Sequence, residues 1–412
     1  MTRHTENMRV QRYEILSFLW MVWKLTLKLA SLSIFRPNAL GRLSDVFSEI
    51  YSRLWDFAEH SISHKDFYLP SSLGVSAVNR VNILLAELYG RKFASLSFGG
   101  SSGALLTLLT AVLPKLHPDR GLILFDDVCH QSTIGGLIFG RWEAVRLIRD
   151  LQPEHQSICP LKFDTVKATI ERHGPDKFAA IILVLPSYDG FRSPSEDKKI
   201  YAYAKSHGIS VIVDGAWDAL RFRESEPENT SLSSICDVWI TSPHKHGLTP
   251  SSLGCILTDN ETIAGLWDEA LDLGFRSSSV SFVEIMIAEH RLSQIVNGDW
   301  DISFDQASRA ADILSSRIQQ IHPALHVVEP SDVQAETHNP THILISTAKI
   351  DGFDARHWAD ILSNEFAFDV EKATSSTLLL LCGSPTLLTE IDDVIFCLKA
   401  AFKLTLTKNL DA

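Results

Sequence analysis

The chain has 412 residues, 45% of them hydrophobic and 21% charged, enough apolar material for two or three domains around a sizeable core. A formal net charge of -12 argues against general nucleic-acid binding and favours a soluble protein. The six cysteines are scattered and form no CxxC pair, so no metal site and no disulfide framework is signalled; free thiols in a reducing cytoplasm are the expectation.

The N-terminal stretch is apolar from Ile15 to Trp23, is interrupted by Lys24 and Lys28, and resumes from Leu29 to Phe35. The unbroken run is too short to span a bilayer, and its charges do not precede it as in a signal peptide. Residues 1–60 are read as an amphipathic arm that packs on the body or on a partner subunit, in preference to one touching a membrane surface. Ser76–Tyr89 has helical spacing and stops at Gly90. Phe93–Phe98 alternates like a strand. Gly99-Gly100-Ser101-Ser102-Gly103 then runs into the apolar helix that begins at Ala104. Glycines allow close backbone approach, hydroxyls donate, and a helix N terminus offers free N–H groups, which together make a phosphate cradle; taken alone, such a loop is also an ordinary turn.

The chain then alternates in an α/β manner. Strands are expected at Gly121–Phe125, Glu143–Ile148, Ala179–Leu185, Ile209–Val213 and Cys236–Ile240. Helices are expected from Val128, over Phe163–His173 and over Asp197–His207. This order predicts a mainly parallel sheet covered on both faces, with ligands outside the carboxyl ends of its strands. His130, Tyr188, Asp214 and Lys245 each follow such a strand. A desolvated lysine loses its proton readily and becomes a nucleophile, so Lys245 suits an imine with a carbonyl cofactor. Asp214 suits a ring nitrogen that must stay protonated, Gly100–Gly103 suits a phosphate, and His130 suits the ring face. Read singly, Asp214 makes an Asx-turn and His130 caps a helix.

In combination these segments resemble pyridoxal-phosphate enzymes of aspartate-aminotransferase fold, within them the ornithine/lysine/arginine decarboxylase family, over roughly Asp66 to Asp259. Ala86-Glu87-Leu88-Tyr89-Gly90 with Gly100-Ser101-Ser102 is similar to the family's helix and phosphate loop. Asp127-Val128-Cys129-His130-Gln131-Ser132 is similar to its D-x-x-C-H-x-S segment, and Pro186-Ser187-Tyr188-Asp189-Gly190 to P-T-Y-D-G. Asp214-Gly215-Ala216 resembles D-x-A-H without the histidine, and Ser242-Pro243-His244-Lys245 resembles S-x-H-K. The resemblance implies a mainly parallel, seven-stranded-type sheet in a large cofactor domain (61–280), followed by bridging helices and a smaller C-terminal α/β domain (281–412). It implies Lys245, His130 and Asp214 as catalytic residues. Gly100, Ser101, Ser102, Gly103, Ser187, Trp217, Ser242 and His244 join them as cofactor-binding, and Ser277 and Ser279 reach the partner subunit's phosphate in a homodimer or larger assembly. A plain polar linker is the other reading of the last two.

Three departures stand out. Trp217 occupies the position of the family's histidine, near the cofactor's phenolic oxygen; its indole N–H donates a bond but is no acid or base near neutral pH. The phosphate loop reads Phe98-Gly99-Gly100 where the family has T-N-G, and the apolar arm stands in place of the family's N-terminal receiver-like domain. The C-terminal third reads as helices at Ser281–Ile295, Asp305–Ile321, Ala355–Phe366 and Leu388–Phe402, with strands near Leu325–Val328, His342–Ser346 and Leu378–Cys382. No arginine follows Arg356, whereas aminotransferases of this fold usually grip the substrate carboxylate with a small-domain arginine. Glu371 resembles an acidic family position that would meet a substrate amine; read alone it is a solvated surface acid. The expectation is decarboxylation of a basic or related L-amino acid, with aldolase, lyase, oxidase or aminotransferase chemistry on the same cofactor, or a cofactor-free homologue kept as a dimerisation partner, as the alternatives.

Overall fold

The computed structural model describes residues 71–410 except 222–231, 233–234, 247, 250–252, 276–281, 299–303, 367, 369 and 383–386. The apolar arm and Ser277 and Ser279 lie outside the described residues. Among the described residues no helix is long and apolar enough to cross a membrane.

Seven strands make the main sheet: β1 (Phe93–Ser97), β2 (Leu122–Asp126), β3 (Glu143–Leu147), β4 (Phe178–Val184), β5 (Ser210–Asp214), β6 (Val238–Thr241) and β7 (Gly254–Thr258). Their spatial order is β1-β7-β6-β5-β4-β2-β3, and every pairing is parallel except the two made by β7. The central strands are apolar on both faces because helices cover both. On one face Ile123, Ile182, Ile212 and Ile240 pack with Leu105 of α2 (Gly100–Thr107), Leu137 of α3 (Gln131–Phe139) and Trp267 of α6 (Glu261–Ala270). On the other, Leu124, Val213 and Trp239 pack with Leu85 of α1 (Ser71–Tyr89), Ile170 of α4 (Phe163–His173), Ile200 of α5 (Pro194–Ser206) and Leu292 of α7 (Phe282–Val296). Successive strand residues point to opposite faces, which divides one apolar run between two cores.

A second body holds β8 (His326–Val327), β9 (His342–Ser346), β10 (Lys372–Ala373) and β11 (Thr377–Leu381), ordered β8-β9-β11-β10 and wholly antiparallel. Leu314 of α8 (Phe304–Gln319), Trp358 of α9 (Ala355–Phe366) and Phe402 of α10 (Leu387–Leu410) bury its apolar face. A short antiparallel ribbon, Phe191–Arg192 with Thr337–His338, ties the turn after β4 to this body.

Two local features differ from the sequence reading. The Gly-Ser stretch is the first turn of α2 rather than a loop before it, and α2 passes into a π-helical turn over Leu108–Val112. Strand β7, which the sequence reading did not isolate, inserts antiparallel between β1 and β6. That insertion needs Gly254: a Cβ there would lie 2.4 Å from the carbonyl carbon of Gly100. Gly100 itself has φ +66, a conformation side chains other than hydrogen resist. The two glycines let the start of α2 press against the sheet.

Candidate active site

The parallel strands β2, β4, β5 and β6 end on one edge, and their following segments meet there with the start of α2. Between them lies a cleft of ≈ 430 Å³. Its walls carry Gly100, Ser101 and Ser102 from α2, His130 after β2, Ser187 and Tyr188 after β4, Asp214 and Trp217 after β5, and Ser242, His244 and Lys245 after β6. The pattern of strand ends in the sequence therefore brings nearly all the expected residues together.

Lys245 sits in a short 3-10 turn, Pro243–His246, closed by its own N–H donating to Ser242 O at 2.9 Å. Its Nζ lies 3.7 Å from the centroid of the Trp217 ring. Burial pushes its pKa down to about 8; the negative charges of Asp214 and, more weakly, Glu371 oppose the fall. A π face is a poor substitute for water around an ammonium, so the cation remains under-solvated.

Asp214 is the last residue of β5 and is buried. Its Oδ1 accepts the Ala216 N–H at 3.2 Å, the Asx-type bond expected of a strand-end acid. Burial raises its pKa, while Lys245, the Ala216 N–H and His130 pull it back. One oxygen shapes the loop while the carboxylate still faces the Lys245 cation. His130 likewise plays two parts. It caps α3 by accepting the Ser132 N–H at 3.2 Å through Nδ1, and it lines the cleft.

The phosphate cradle is partly spoken for. Ser101 N–H donates to Ser242 Oγ at 3.3 Å, joining the start of α2 to the lysine loop. His244 donates Nδ1–H to Leu253 O at 2.8 Å, which leaves Nε2 as its lone-pair nitrogen, and burial lowers its pKa. Gly103, expected in the cradle, does not line the cleft. One turn into α2, its N–H is already bonded to Gly99 O at 2.9 Å, and it borders a neighbouring groove instead. Ser187 is buried and accepts the Phe191 N–H at 3.1 Å, so it fixes the turn that carries Tyr188.

Two pairings carry no signal in the sequence, although Glu371 itself stood out there through the resemblance. Glu371 is not a surface acid: it precedes β10, is half-buried, and accepts a hydrogen bond from the Tyr188 hydroxyl across the two bodies. Burial raises its pKa, with Tyr188 and Lys245 opposing. The second is Asp126, at the end of β2, forked by Arg149 (Nε to Oδ1, 2.8 Å) with both side chains buried. Arg149 also donates to Val184 O at 2.8 Å, and Asp126 accepts the Val184 N–H at 3.1 Å, so the pair stitches β2 to β4 beneath the cleft. Neither has a spacing signal, because each partner comes from a distant segment. Among the described residues no arginine lines the cleft.

No protein-family model matches the chain. An arginine decarboxylase of Halalkalibacterium halodurans is 23% identical over 306 residues, 70% of this chain and 57% of that protein, so the match spans little more than half of its relative. Alanine–glyoxylate aminotransferase from Nostoc sp. superposes with a TM-score of 0.65 at 13% identity, covering 89% of this chain and 94% of the other. The constitutive lysine decarboxylase of Escherichia coli gives a TM-score of 0.64 at 14% identity, covering 88% of this chain and 61% of that one. A two-body α/β chain with a seven-stranded, mostly parallel sheet and these neighbours has the fold of the fold-type I pyridoxal-phosphate enzymes, the aspartate-aminotransferase fold.

Proposed function

We propose that the protein is a pyridoxal-phosphate-dependent amino-acid decarboxylase acting on a basic or related L-amino acid. The observation that supports it most is Lys245, a half-buried lysine with its pKa down to about 8, set opposite a buried carboxylate at the ligand-binding edge of the sheet. The donor set fits the cofactor: a helix start with two serines for a phosphate, a desolvated carboxylate for a ring nitrogen, and an amine for an aldehyde.

When bound, pyridoxal phosphate supplies an aldehyde that captures amines and a cationic ring that takes up the electron pair released with carbon dioxide. Lys245 Nζ, which loses its proton near pH 8, holds the amine in the form that reacts, and later carries a proton to and from the neighbourhood of the substrate Cα. Asp214, buried at the end of β5, would pair with the ring nitrogen and keep a proton on it. Ser101, Ser102 and Ser242, at the start of α2 and in the lysine loop, would hold the phosphate; His244, whose Nδ1–H is taken by Leu253 O, would border it and could bond it only when its Nε2 is protonated. His130 and Trp217, which line the cleft, would contact the ring, and Ser187 fixes the turn that carries Tyr188. Ser277 keeps the role the resemblance gives it, toward the partner's phosphate.

Decarboxylation is favoured over amino transfer by the small-domain sequence, in which no arginine follows Arg356, and by the similarity to an arginine decarboxylase. Glu371, steadied by Tyr188, is the acid placed to receive a distal substrate amine. Trp217 over Lys245 supports a second reading, other carbanion chemistry on the same cofactor such as aldol cleavage or oxidation. An indole cannot relay a proton where the family has histidine. From the resemblance we also propose that the chain acts as a homodimer or larger assembly.

The deciding experiment is mass analysis of products from cofactor-loaded protein given a panel of amino acids in heavy water and air, without keto acid. An amine carrying one deuterium at Cα is the expected product. An aldehyde, a keto acid or a side-chain fragment would move the enzyme to the second reading. A protein that binds no cofactor when offered it would overturn both.

A further inference from the structure

Away from the cleft, three metal-ligating side chains from separate segments converge where the two bodies meet. His155 stands at the tip of the hairpin Leu151–Gln152/Ser157–Ile158 of the large body. His326 begins β8 of the small body, and Asp332 lies in the 3-10 turn Pro330–Val333 that follows it. One ligand atom from each lies within 4.8 Å of the others. His326 Nε2 and Asp332 Oδ2 are 2.7 Å apart, and the two imidazole rings are 5.1 Å apart between centroids.

The surroundings orient these groups as metal sites do. His155 is buried, and its Nδ1 is held by Ser346 Oγ at 3.1 Å, which leaves Nε2 for another partner. Ser346 is the cross-strand partner of His326, so one residue pair sets the positions of both rings. Asp332 Oδ2 also accepts the Glu329 N–H at 2.8 Å. His326 and Asp332 remain about a third and a quarter exposed, which gives an ion a way in and leaves room for water as a further ligand.

We infer that His155, His326 and Asp332 form a site for a divalent transition metal of the zinc class, bridging the large and small bodies. Two imidazoles and a carboxylate suit zinc in preference to calcium or magnesium, which favour all-oxygen sets. The hairpin that carries His155 is anchored to the active-site turn: Asp189, next to Tyr188, accepts the Ile158 N–H at 2.9 Å and the Ser157 hydroxyl at 3.2 Å. A bound ion would therefore fix the small body, which carries Glu371, against the loop that carries Tyr188. No cysteine or HxxH spacing announces this site in the sequence, because the ligands come from different bodies.

The test uses untagged, full-length protein freed of metal with chelator and titrated with Zn2+ by calorimetry and with Co2+ by visible absorption. One ion per chain is expected, with the Co2+ bands of a nitrogen–oxygen site and a rise in Tm on Zn2+ addition. His326→Ala should abolish saturable binding. Asp332→Asn, which keeps the shape and the Glu329 contact, should do the same without unfolding the protein. Ser346→Ala should weaken binding about 10-fold, as loss of a ligand-orienting partner does. An absence of saturable binding, or binding unchanged in both His326→Ala and Asp332→Asn, would leave only a His–Asp ion pair and overturn the inference. The readout needs neither pyridoxal phosphate nor substrate, so it stands or falls apart from the decarboxylase reading.

Discussion

Two acids end neighbouring regions of the same sheet edge, and both are buried: Asp126 closes β2 and Asp214 closes β5. Asp126 is fully matched. Arg149 forks it, the Val184 N–H adds a third bond, and the whole unit is sealed under the cleft. Asp214 has one backbone hydrogen bond and faces Lys245 without a hydrogen bond to it. The same burial thus has opposite consequences. A buried charge with complete partners is structural, whereas a buried charge left short of partners keeps its pKa and that of its neighbour displaced and its capacity for chemistry intact.

This contrast can be broken by substitution. The largest effect expected is on turnover: Lys245→Ala should abolish product formation in the mass assay while Tm stays near that of the parent, because an under-solvated lysine adds little to stability. Next comes Arg149→Met, which strands Asp126 in the interior and should cost about 3–5 kcal/mol in chemical denaturation. Asp214→Asn should cost far less stability than that and most of the activity; equal destabilisation by the two would erase the distinction drawn here.

The pH behaviour sharpens it further. The reaction of Lys245 with an amine-directed reagent, followed by peptide mass analysis, should rise with a midpoint near pH 8 in cofactor-free protein. Asp214→Asn should move the midpoint lower, and Glu371→Gln should move it lower by less, since Asp214 is the stronger of the two charges holding it up. The unfolded chain keeps this proton to about pH 10.5 and the folded chain releases it near 8. Across that interval cofactor-free protein should therefore gain stability with rising pH relative to Lys245→Met. A flat difference between the two would show that Lys245 is not desolvated. The smallest effect expected is that of Tyr188→Phe. Loss of its hydroxyl lets the pKa of Glu371 rise further, and a drop of several-fold in turnover of basic substrates is the outcome to measure, with little change for others.

Much of the main sheet was legible in the sequence. Phe178–Val184 and Ser210–Asp214 are runs of β-branched and aliphatic residues too short for helices and bounded by turns, so strand type and position follow from local chemistry. The placement of Asp214 and Lys245 on one edge follows from the rule that parallel strands share a direction. The helical start at Gly100 was not legible, since glycine and serine there read as a loop; contact with Gly254 on β7 makes the close approach possible.

The sequence by itself determined the alternation of strands and helices and the residues that follow each strand, because these depend on periodicity and turn chemistry over a few residues. Only the tertiary structure decided that Glu371 is an interior acid bonded to Tyr188, that Arg149 neutralises Asp126, and that His155 meets His326 and Asp332. The physical reason is common to all three. Each depends on the exclusion of water by segments far apart in the chain, and neither burial nor the identity of a distant partner is written in local sequence.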